Sequence, residues 1–254
     1  MTYLQFHLLF IVPAIAALAV AQRKPLAGVG AGTALKWLVA VLGLAFVYTT
    51  PWDNYLVYRD VWGYPPGRVL ATIGYVPVEE YAFFLLQPIM AGLFYFLLRG
   101  QNVATTPEAP QPGLWRAGLV AFWLAVAAVG VACLAAGGHA LYMGLILAWA
   151  APVIAGLCWV GAHKVWEERR RVAWSVAVPT VYLWFADRTA IALGIWDIRD
   201  ETSFGWDPLG LPIEEATFFV VTNVLCVFGL VLFMPSPRDM TPEAATPPQD
   251  RVLA

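Results

Sequence analysis

The chain has 254 residues, of which 60% are hydrophobic and 13% are charged. A soluble domain averages about 45–50% apolar and about 25% charged residues, so this composition predicts an integral membrane protein. The net charge is only -2, and the basic residues lack the clustered patterns that bind phosphates, which argues against a nucleic-acid partner.

Seven apolar runs of spanning length follow one another, at residues 3–21, 34–51, 78–98, 114–135, 139–161, 173–194 and 213–234. Each is close to the ~20 residues that a helix needs to cross the hydrocarbon core. The sequence therefore predicts an all-α integral membrane protein with seven transmembrane helices, numbered 1 to 7 in chain order. Two stretches rich in Pro, Thr and Ala, 100–113 and 235–254, predict a mobile cytoplasmic linker and a disordered cytoplasmic tail.

The lysines and arginines are divided unequally between the two sides of this predicted bundle. Eleven lie on one side and four on the other, which predicts a multi-pass protein of the cell membrane with its N-terminus outside and its C-terminus cytoplasmic. The cytoplasmic set is Arg23, Lys24, Lys36, Arg99, Arg116, Lys164, Arg169, Arg170, Arg171, Arg238 and Arg251; the outer set is Arg59, Arg68, Arg188 and Arg199.

A motif at the start of helix 3 recurs at the start of helix 7. Residues 77–84 read PVEEYAFF and residues 212–219 read PIEEATFF, 135 residues apart. A proline and two acids suit the first turn of a helix and the positive end of its dipole, so either copy alone fits a helix cap. Capping does not explain why the string appears twice, and ionisable groups within a membrane helix are costly and usually functional.

The similarity between the two halves extends beyond this motif. Residues 12–18 (VPAIAAL) match residues 151–157 (APVIAGL) at an offset of 139. Asp53 and Asp187, each at the outer end of a helix, and Trp62 and Trp196, each in the following loop, are also equivalent. Helices 1–3 therefore repeat as helices 5–7. Because helix 4 restores the direction of the chain, the halves are predicted to be parallel, with both acid pairs facing one compartment.

The repeat divides the chain into four predicted parts. These are a first repeat (1–99), a linker with helix 4 (100–136), a second repeat (137–234) and the tail (235–254).

These motifs resemble those of the integral-membrane lycopene cyclases of carotenoid synthesis. The residues that carry the resemblance are Asp53, Trp62, residues 77–80 (PVEE), Phe83 and Phe84, repeated as Asp187, Trp196, residues 212–215 (PIEE), Phe218 and Phe219. The family occurs as two short chains in some bacteria, as one fused chain in archaea, and at the front of a bifunctional fungal enzyme. This sequence is similar to the fused form over residues 3–234. The resemblance implies a redox-neutral isomerisation of the linear ψ-ends of lycopene, or of a related linear carotenoid, to β-ionone rings.

Such a reaction needs an acid to protonate a terminal alkene and a base to remove a ring proton. Because alkenes are very weak bases, the acid must be protonated near neutral pH, and both desolvation and a neighbouring carboxylate favour that form. The predicted catalytic residues are Glu79, Glu80, Glu214, Glu215, Asp53 and Asp187. One Glu of each pair is expected to donate the proton, and its neighbour or an Asp to hold and recover it. Asp187 has an alternative interpretation, a local ion pair with Arg188 that keeps it ionised.

Aromatic ring faces stabilise a carbocation without trapping it. The predicted substrate-contacting and cation-stabilising residues are Trp52, Trp62, Trp196, Phe83, Phe84, Phe218, Phe219, Gln87 and Asn223. For Gln87, Asn223 and the nearby Thr222, hydrogen bonding between helices is the alternative interpretation.

Two other functions compete with that of a cyclase. A proton-coupled transporter would have helices broken near the midplane, and Pro13, Pro88, Pro152 and Pro179 are candidate breaks. A retinal photoreceptor needs a lysine in the last helix, and residues 213–234 contain none. The three cysteines and three histidines lack metal-ligand spacing, so no metal site and no cofactor are predicted. Expected partners besides the carotenoid are membrane lipid and either a second copy of the chain or other carotenoid-pathway enzymes.

Overall fold

The computed structural model describes residues 1–22, 29–101 and 111–236, and these residues form seven long helices. They are α1 (Tyr3–Ala21), α2 (Ala31–Tyr58), α3 (Val78–Gln101), α4 (Pro112–Ala136), α5 (Leu141–Glu167), α6 (Arg169–Ala192) and α7 (Ile213–Phe233). Each helix lies on one of the seven predicted apolar runs. Most of the predicted linker, most of the predicted tail, and the basic residues Arg23, Lys24, Arg238 and Arg251 lie outside the described residues.

Six of the seven helices are long and apolar enough to cross a membrane. The exception is α6, which begins with the three arginines 169–171 and carries Asp187 and Arg188 near its end. Within the described residues the chain is therefore an all-α protein with six candidate membrane spans, and the crossing of the membrane by α6 remains a prediction.

Helix α2 continues beyond the predicted run, which ended at Pro51, as far as Tyr58. Trp52, Asp53 and Leu56 are all buried in this extension, so packing against neighbouring helices extends the helix where its hydropathy falls. Asp53 consequently lies inside α2 rather than at its end, and Asp187 likewise lies inside α6.

The helices pass through their internal prolines without interruption. Pro88, Pro152 and Pro179 lie inside α3, α5 and α6, respectively. Near Pro13, α1 includes one π-helical segment, His7–Ile11, and then continues as α-helix. A proline removes one backbone donor from a helix, and these helices tolerate that loss without a break at the midplane.

Helix α4 packs closely on α5 through two glycines. A Cβ atom added at Gly130 would lie 2.4 Å from the backbone nitrogen of Ala148, and one added at Gly144 would lie 2.7 Å from that of Leu134. Glycine is therefore required where these two helices meet, as is common between membrane helices.

Two loops cover the end of the bundle where α3 and α7 begin. Strand β1 (Trp62–Gly63) contains Trp62, and a hairpin formed by β2 (Thr72–Ile73) and β3 (Val76–Pro77) leads into α3. Strand β4 (Asp197–Ile198) belongs to the loop between α6 and α7 and pairs with β1 in antiparallel register, Gly63 opposite Asp197. The loops of the two halves are thus joined directly above the helix starts.

A buried ion pair joins three helices at the opposite end of the bundle. Arg99 Nη1 of α3 lies 3.0 Å from Glu168 Oε1, between α5 and α6, and both side chains are almost fully buried. The Tyr95 hydroxyl donates to both Glu168 oxygens, at 3.2 and 3.1 Å, and Arg99 also donates to the carbonyl of Pro235, beyond α7.

We expect Arg99→Met to destabilise the protein by about 3–5 kcal/mol, because it leaves the Glu168 carboxylate buried without its main partner. The measurement is unfolding of the purified protein in mixed micelles of increasing SDS content. Arg170→Met, which changes an exposed arginine two residues after Glu168, is the matched control and should unfold like the wild type. Equal stability of the two variants would show that the ion pair contributes nothing.

Candidate active site

The second glutamates of the two motifs, Glu80 and Glu215, line one cavity. Asp187 lines it too, and the three side chains are only 8%, 4% and 2% exposed. We call this the carboxyl cavity. Its lining residues are Tyr3, Phe6, Trp62, Tyr64, Glu80, Phe83, Leu183, Asp187, Trp196, Glu215, Phe218 and Phe219.

Each wall of the carboxyl cavity comes from a different element. The first turns of α3 and α7 contribute the two glutamates, and α6 contributes Asp187. The paired loops contribute Trp62 and Trp196, and the first turn of α1 contributes Tyr3. The backbone N–H of Tyr3 donates to the carbonyl of Arg68 at 2.8 Å, which ties the start of α1 to the covering loop.

Phenol groups hold the two glutamates. Tyr3 and Tyr64 both donate to Glu80 Oε2, at 2.5 and 3.1 Å, and Tyr142 donates to Glu215 Oε1 at 2.5 Å. None of these tyrosines was predicted from the sequence. The internal repeat could have pointed to two of them, because Tyr3 and Tyr142 are separated by the same 139 residues as the matched segments of the first and fifth predicted helices.

Tyr64 lies in the loop outside the helices, and its ionisation is strongly disfavoured. Burial raises the pKa of its phenol well above the ordinary value, and the nearby negative charge of Glu80 adds to this effect. The Tyr64 hydroxyl therefore keeps its proton and acts as a donor to Glu80.

The first glutamates of the motifs, Glu79 and Glu214, do not line the carboxyl cavity. Glu79 Oε1 accepts the backbone N–H of Leu70 at 2.9 Å, and Glu214 Oε1 accepts that of Phe204 at 2.8 Å. Adjacent helical residues point about 100° apart, so when one glutamate of a pair faces the cavity the other faces the covering loop. The geometry thus gives the two glutamates of each pair different environments.

Asp53 and Asp187 lie beside the glutamates. Each is nearly fully buried, and in the described part of the chain one carboxyl oxygen of each has no hydrogen-bond partner. Both aspartates are close enough to Glu80 and Glu215 to interact with them electrostatically. Asp187 makes no salt bridge with Arg188 among the described residues, because neighbouring residues on a helix point in different directions. The side chain of Asp187 is instead hydrogen-bonded to that of Trp196.

The predicted aromatic residues are divided among several environments. Trp62, Trp196, Phe83, Phe218 and Phe219 line the carboxyl cavity. Trp52 lies behind this wall: its ring centroid is 5.7 Å from that of Phe218, and its indole N–H donates to the Leu145 carbonyl at 3.0 Å. Trp52 therefore supports the lining rather than forming it.

The polar residues further along α3 and α7 bond to each other. Gln87 Nε2 donates to Asn223 Oδ1 at 2.7 Å, and Asn223 Nδ2 donates to Thr180 Oγ1 at 2.9 Å, which joins α3, α7 and α6. Thr222 instead donates to the Phe218 carbonyl in its own helix, at 2.8 Å. For Gln87 and Asn223 these contacts match the alternative interpretation, hydrogen bonding between helices. Asn223 lines neither the carboxyl cavity nor the neighbouring cavity that Gln87 lines.

A second, larger cavity lies beside the first, between α2, α3, α5 and α7. We call this the apolar cavity. Phe83 and Phe218 border both cavities, while Phe84 and Gln87 line only the apolar one. Phe83 and Phe218 hold equivalent places in the PVEEYAFF and PIEEATFF motifs.

Buried carboxyl groups that face aromatic rings inside a membrane-helix bundle form a candidate site for acid–base chemistry on an apolar molecule. Known proteins identify the chain more closely. It is 40% identical over 232 residues to the lycopene beta-cyclase of Halobacterium salinarum, a match that covers 85% of this chain and 93% of that protein.

Fungal proteins match as well. The chain is 35% identical over 238 residues to the bifunctional lycopene cyclase/phytoene synthase of Gibberella fujikuroi, covering 90% of this chain and 39% of that protein. The corresponding protein of Phycomyces blakesleeanus is 35% identical over 236 residues, which is 90% of this chain and 38% of the fungal protein. No family model and no solved structure matches the chain. The chain belongs to the lycopene cyclase family and, like its other members, is an enzyme.

The contact between Glu79 and Leu70 predicts a measurable effect on the covering loop. Glu79→Ala removes the acceptor of the hydrogen bond from the Leu70 N–H, so we expect amide hydrogen exchange around Leu70 to become about 10- to 100-fold faster, as measured by mass spectrometry. Glu79→Gln retains an acceptor oxygen and should exchange nearly as the wild type does. Unchanged exchange in Glu79→Ala would contradict a loop-holding role.

Proposed function

We propose that the chain is a lycopene β-cyclase, which converts the linear ψ-ends of lycopene to β-ionone rings. The observation that carries the proposal is that Glu80 and Glu215, one from each copy of the motif, face one cavity walled by aromatic rings. The family relationship supports lycopene as the substrate.

The first step is protonation of the terminal alkene. A carboxyl group removed from water and lacking a cationic partner favours its neutral form. Glu80, Glu215, Asp53 and Asp187 are all buried, and none of them makes a salt bridge within the described residues. The cavity is therefore suited to holding at least one carboxylic acid near neutral pH.

The hydrogen bonds suggest which glutamate plays which role. Donors directed at a carboxylate favour its ionised form, and Glu80 accepts from two phenols whereas Glu215 accepts from one. We assign Glu215 as the proton donor and Glu80 as the base that takes the proton from the new ring. The glutamates Glu79 and Glu214 hold the loops.

The proton must return from base to acid before the next turnover. Asp53 and Asp187 interact electrostatically with both glutamates and each carry a free carboxyl oxygen within the described structure, so they are placed to pass the proton on. One proton is gained and one is lost in each ring closure, so the reaction balances without an oxidant or reductant and calls for no redox cofactor.

The tertiary carbocation formed between these steps needs stabilisation that does not trap it. The rings of Trp62, Trp196 and Phe219 line the carboxyl cavity, and a desolvated aromatic face contributes on the order of 2 kcal/mol to binding a cation. These rings provide no reactive lone pair to which the cation would bond.

Several pairs of contacts support the parallel three-helix repeat that the proposal includes. They recur at equivalent places in the two halves: Tyr3 to Glu80 with Tyr142 to Glu215, Leu70 to Glu79 with Phe204 to Glu214, and Tyr48 to the Trp149 carbonyl with Tyr182 to the Phe10 carbonyl. In this arrangement α4 is the spacer between repeats. The proposal also includes seven helices that span the cell membrane, with the N-terminus outside.

The transporter alternative gains no support from the helices, which run unbroken through Pro88, Pro152 and Pro179. Cyclisation of another linear carotenoid uses the same chemistry, and the assay below distinguishes it from cyclisation of lycopene.

The first test is pigment analysis of lycopene-accumulating cells that express the chain. We expect one- and two-ringed products from the wild type, and a loss of about 10²- to 10⁴-fold in ring formation for Glu80→Gln and Glu215→Gln, since each removes an acid–base group. Glu79→Gln and Glu214→Gln are matched controls that should retain most activity. Unchanged lycopene in cells with correctly inserted wild-type protein would refute the proposal.

The assignment of roles predicts different products from the two inactive variants. Glu215→Gln lacks the acid, so lycopene should remain unchanged. Glu80→Gln can still form the cation but lacks its base, so its residual product should include rings with a displaced double bond or an added hydroxyl group. Chromatography with mass spectrometry distinguishes these products, and displaced or hydroxylated rings from Glu215→Gln instead would reverse the assignment.

A further inference from the structure

We infer that the apolar cavity binds the polyene chain of the substrate while one of its ends reacts in the carboxyl cavity. This inference rests on the proposed function and adds a binding site for the long hydrocarbon part of a linear carotenoid. It follows from the position, the lining and the opening of the apolar cavity.

The apolar cavity adjoins the reaction site. Phe83 of α3 and Phe218 of α7 border both cavities, so these two rings lie where the cavities meet, and a chain whose end lies beside Glu80 and Glu215 would have to pass them. On α7 the lining extends from Phe218 to Phe233, about 22 Å at 1.5 Å per residue. The cavity is therefore long in the direction that leads away from the carboxyl groups, as a rod-like polyene requires.

Three polar side chains in its wall are already bonded within the protein, whereas the indole N–H of Trp149 has no hydrogen-bond partner in the described part of the chain. The Tyr48 hydroxyl donates to the Trp149 carbonyl, Thr222 donates to Phe218 and Gln87 donates to Asn223. These three groups therefore do not need water from the cavity, and most of the remaining wall is hydrocarbon and aromatic. A linear hydrocarbon suits this surface better than a polar ligand does.

One side of the cavity reaches the outer face of the helix bundle. Leu44 and Tyr48 of α2 line it and are 59% and 42% exposed, in a helix that is long and apolar enough to span the membrane. A carotenoid dissolved in the bilayer can enter from this side without passing through water.

The two halves of the chain differ at the wall of this cavity. Gly229 of α7 lines it, whereas the residue at the equivalent place in α3 is Phe94. A Cβ atom at Gly229 would make an ordinary contact, 3.6 Å from Val41 Cγ2, so a small side chain fits there and a larger one would project into the cavity. Gly229 is thus a position at which one substitution can narrow the cavity.

The test measures binding of intact lycopene by induced circular dichroism. Lycopene is achiral, so its visible absorption band becomes optically active only when a chiral site holds it. The full chain carrying Glu215→Gln, which prevents turnover, is placed in lipid nanodiscs with lycopene. We expect an induced band that adding Gly229→Leu weakens about tenfold or more, because overpacking disfavours the bound polyene.

Gly43→Leu is the matched control. Gly43 lies on the exposed face of α2, lines neither cavity, and has no heavy atom within 4 Å of an added Cβ, so this variant should keep the full band. Ala45→Leu narrows the opposite wall of the apolar cavity and provides a second closed variant should Gly229→Leu fail to fold. Its control is Ala121→Leu on an exposed face of α4.

Two outcomes would overturn the inference: no induced band in any variant, or a full band in well-folded Gly229→Leu and Ala45→Leu. Either can occur while the wild type still forms rings and Glu215→Gln does not, so failure of this inference is distinguishable from failure of the proposed function.

Discussion

The structure of the site depends on burying two glutamates from separate motifs in one cavity without a positive charge to balance them. Such burial is costly unless hydrogen bonds satisfy the carboxyl groups or they become neutral. Phenol hydroxyls from Tyr3, Tyr64 and Tyr142 supply the hydrogen bonds. A phenol donates without adding charge, so the carboxyl groups are positioned without being fixed in the ionised state as an arginine would fix them.

At the opposite end of the bundle, a buried carboxylate is paired with positive charges. Glu168 lies 3.0 Å from Arg99 and 3.6 Å from Arg171, so its charge is balanced and it joins the helix ends. Two kinds of buried glutamate thus serve two purposes in one chain. A paired carboxylate stabilises the fold, whereas unpaired and clustered carboxyls are those whose protons can be transferred.

Much of the fold and part of the site could be predicted from the sequence. Helix positions follow from runs of apolar residues, and all seven long helices lie on them. The end of α2 was missed because Trp52 and Asp53 are held in the helix by burial, which local hydropathy does not record. Within the site, the sequence identified the glutamate pairs but could not separate Glu79 from Glu80, because that choice depends on how far α3 is rotated relative to its loop. Tyr64 was also unpredictable, since it comes from a loop whose path is fixed by the pairing of β1 with β4.

In the proposed mechanism, differences between the two similar halves allow one chain to perform a directional reaction. If the two halves were identical, Glu80 and Glu215 would have the same environment and neither would be preferred as acid or base. The extra donor from Tyr64 breaks this equality at the carboxyl groups, because the residue at the equivalent place in the second half, Ile198, has no hydroxyl. A second difference lies along α7, where Gly229 lines the apolar cavity while the equivalent residue of α3, Phe94, does not. In the proposed mechanism, the first difference decides where the proton comes from, and the second determines on which side the unreacted chain lies.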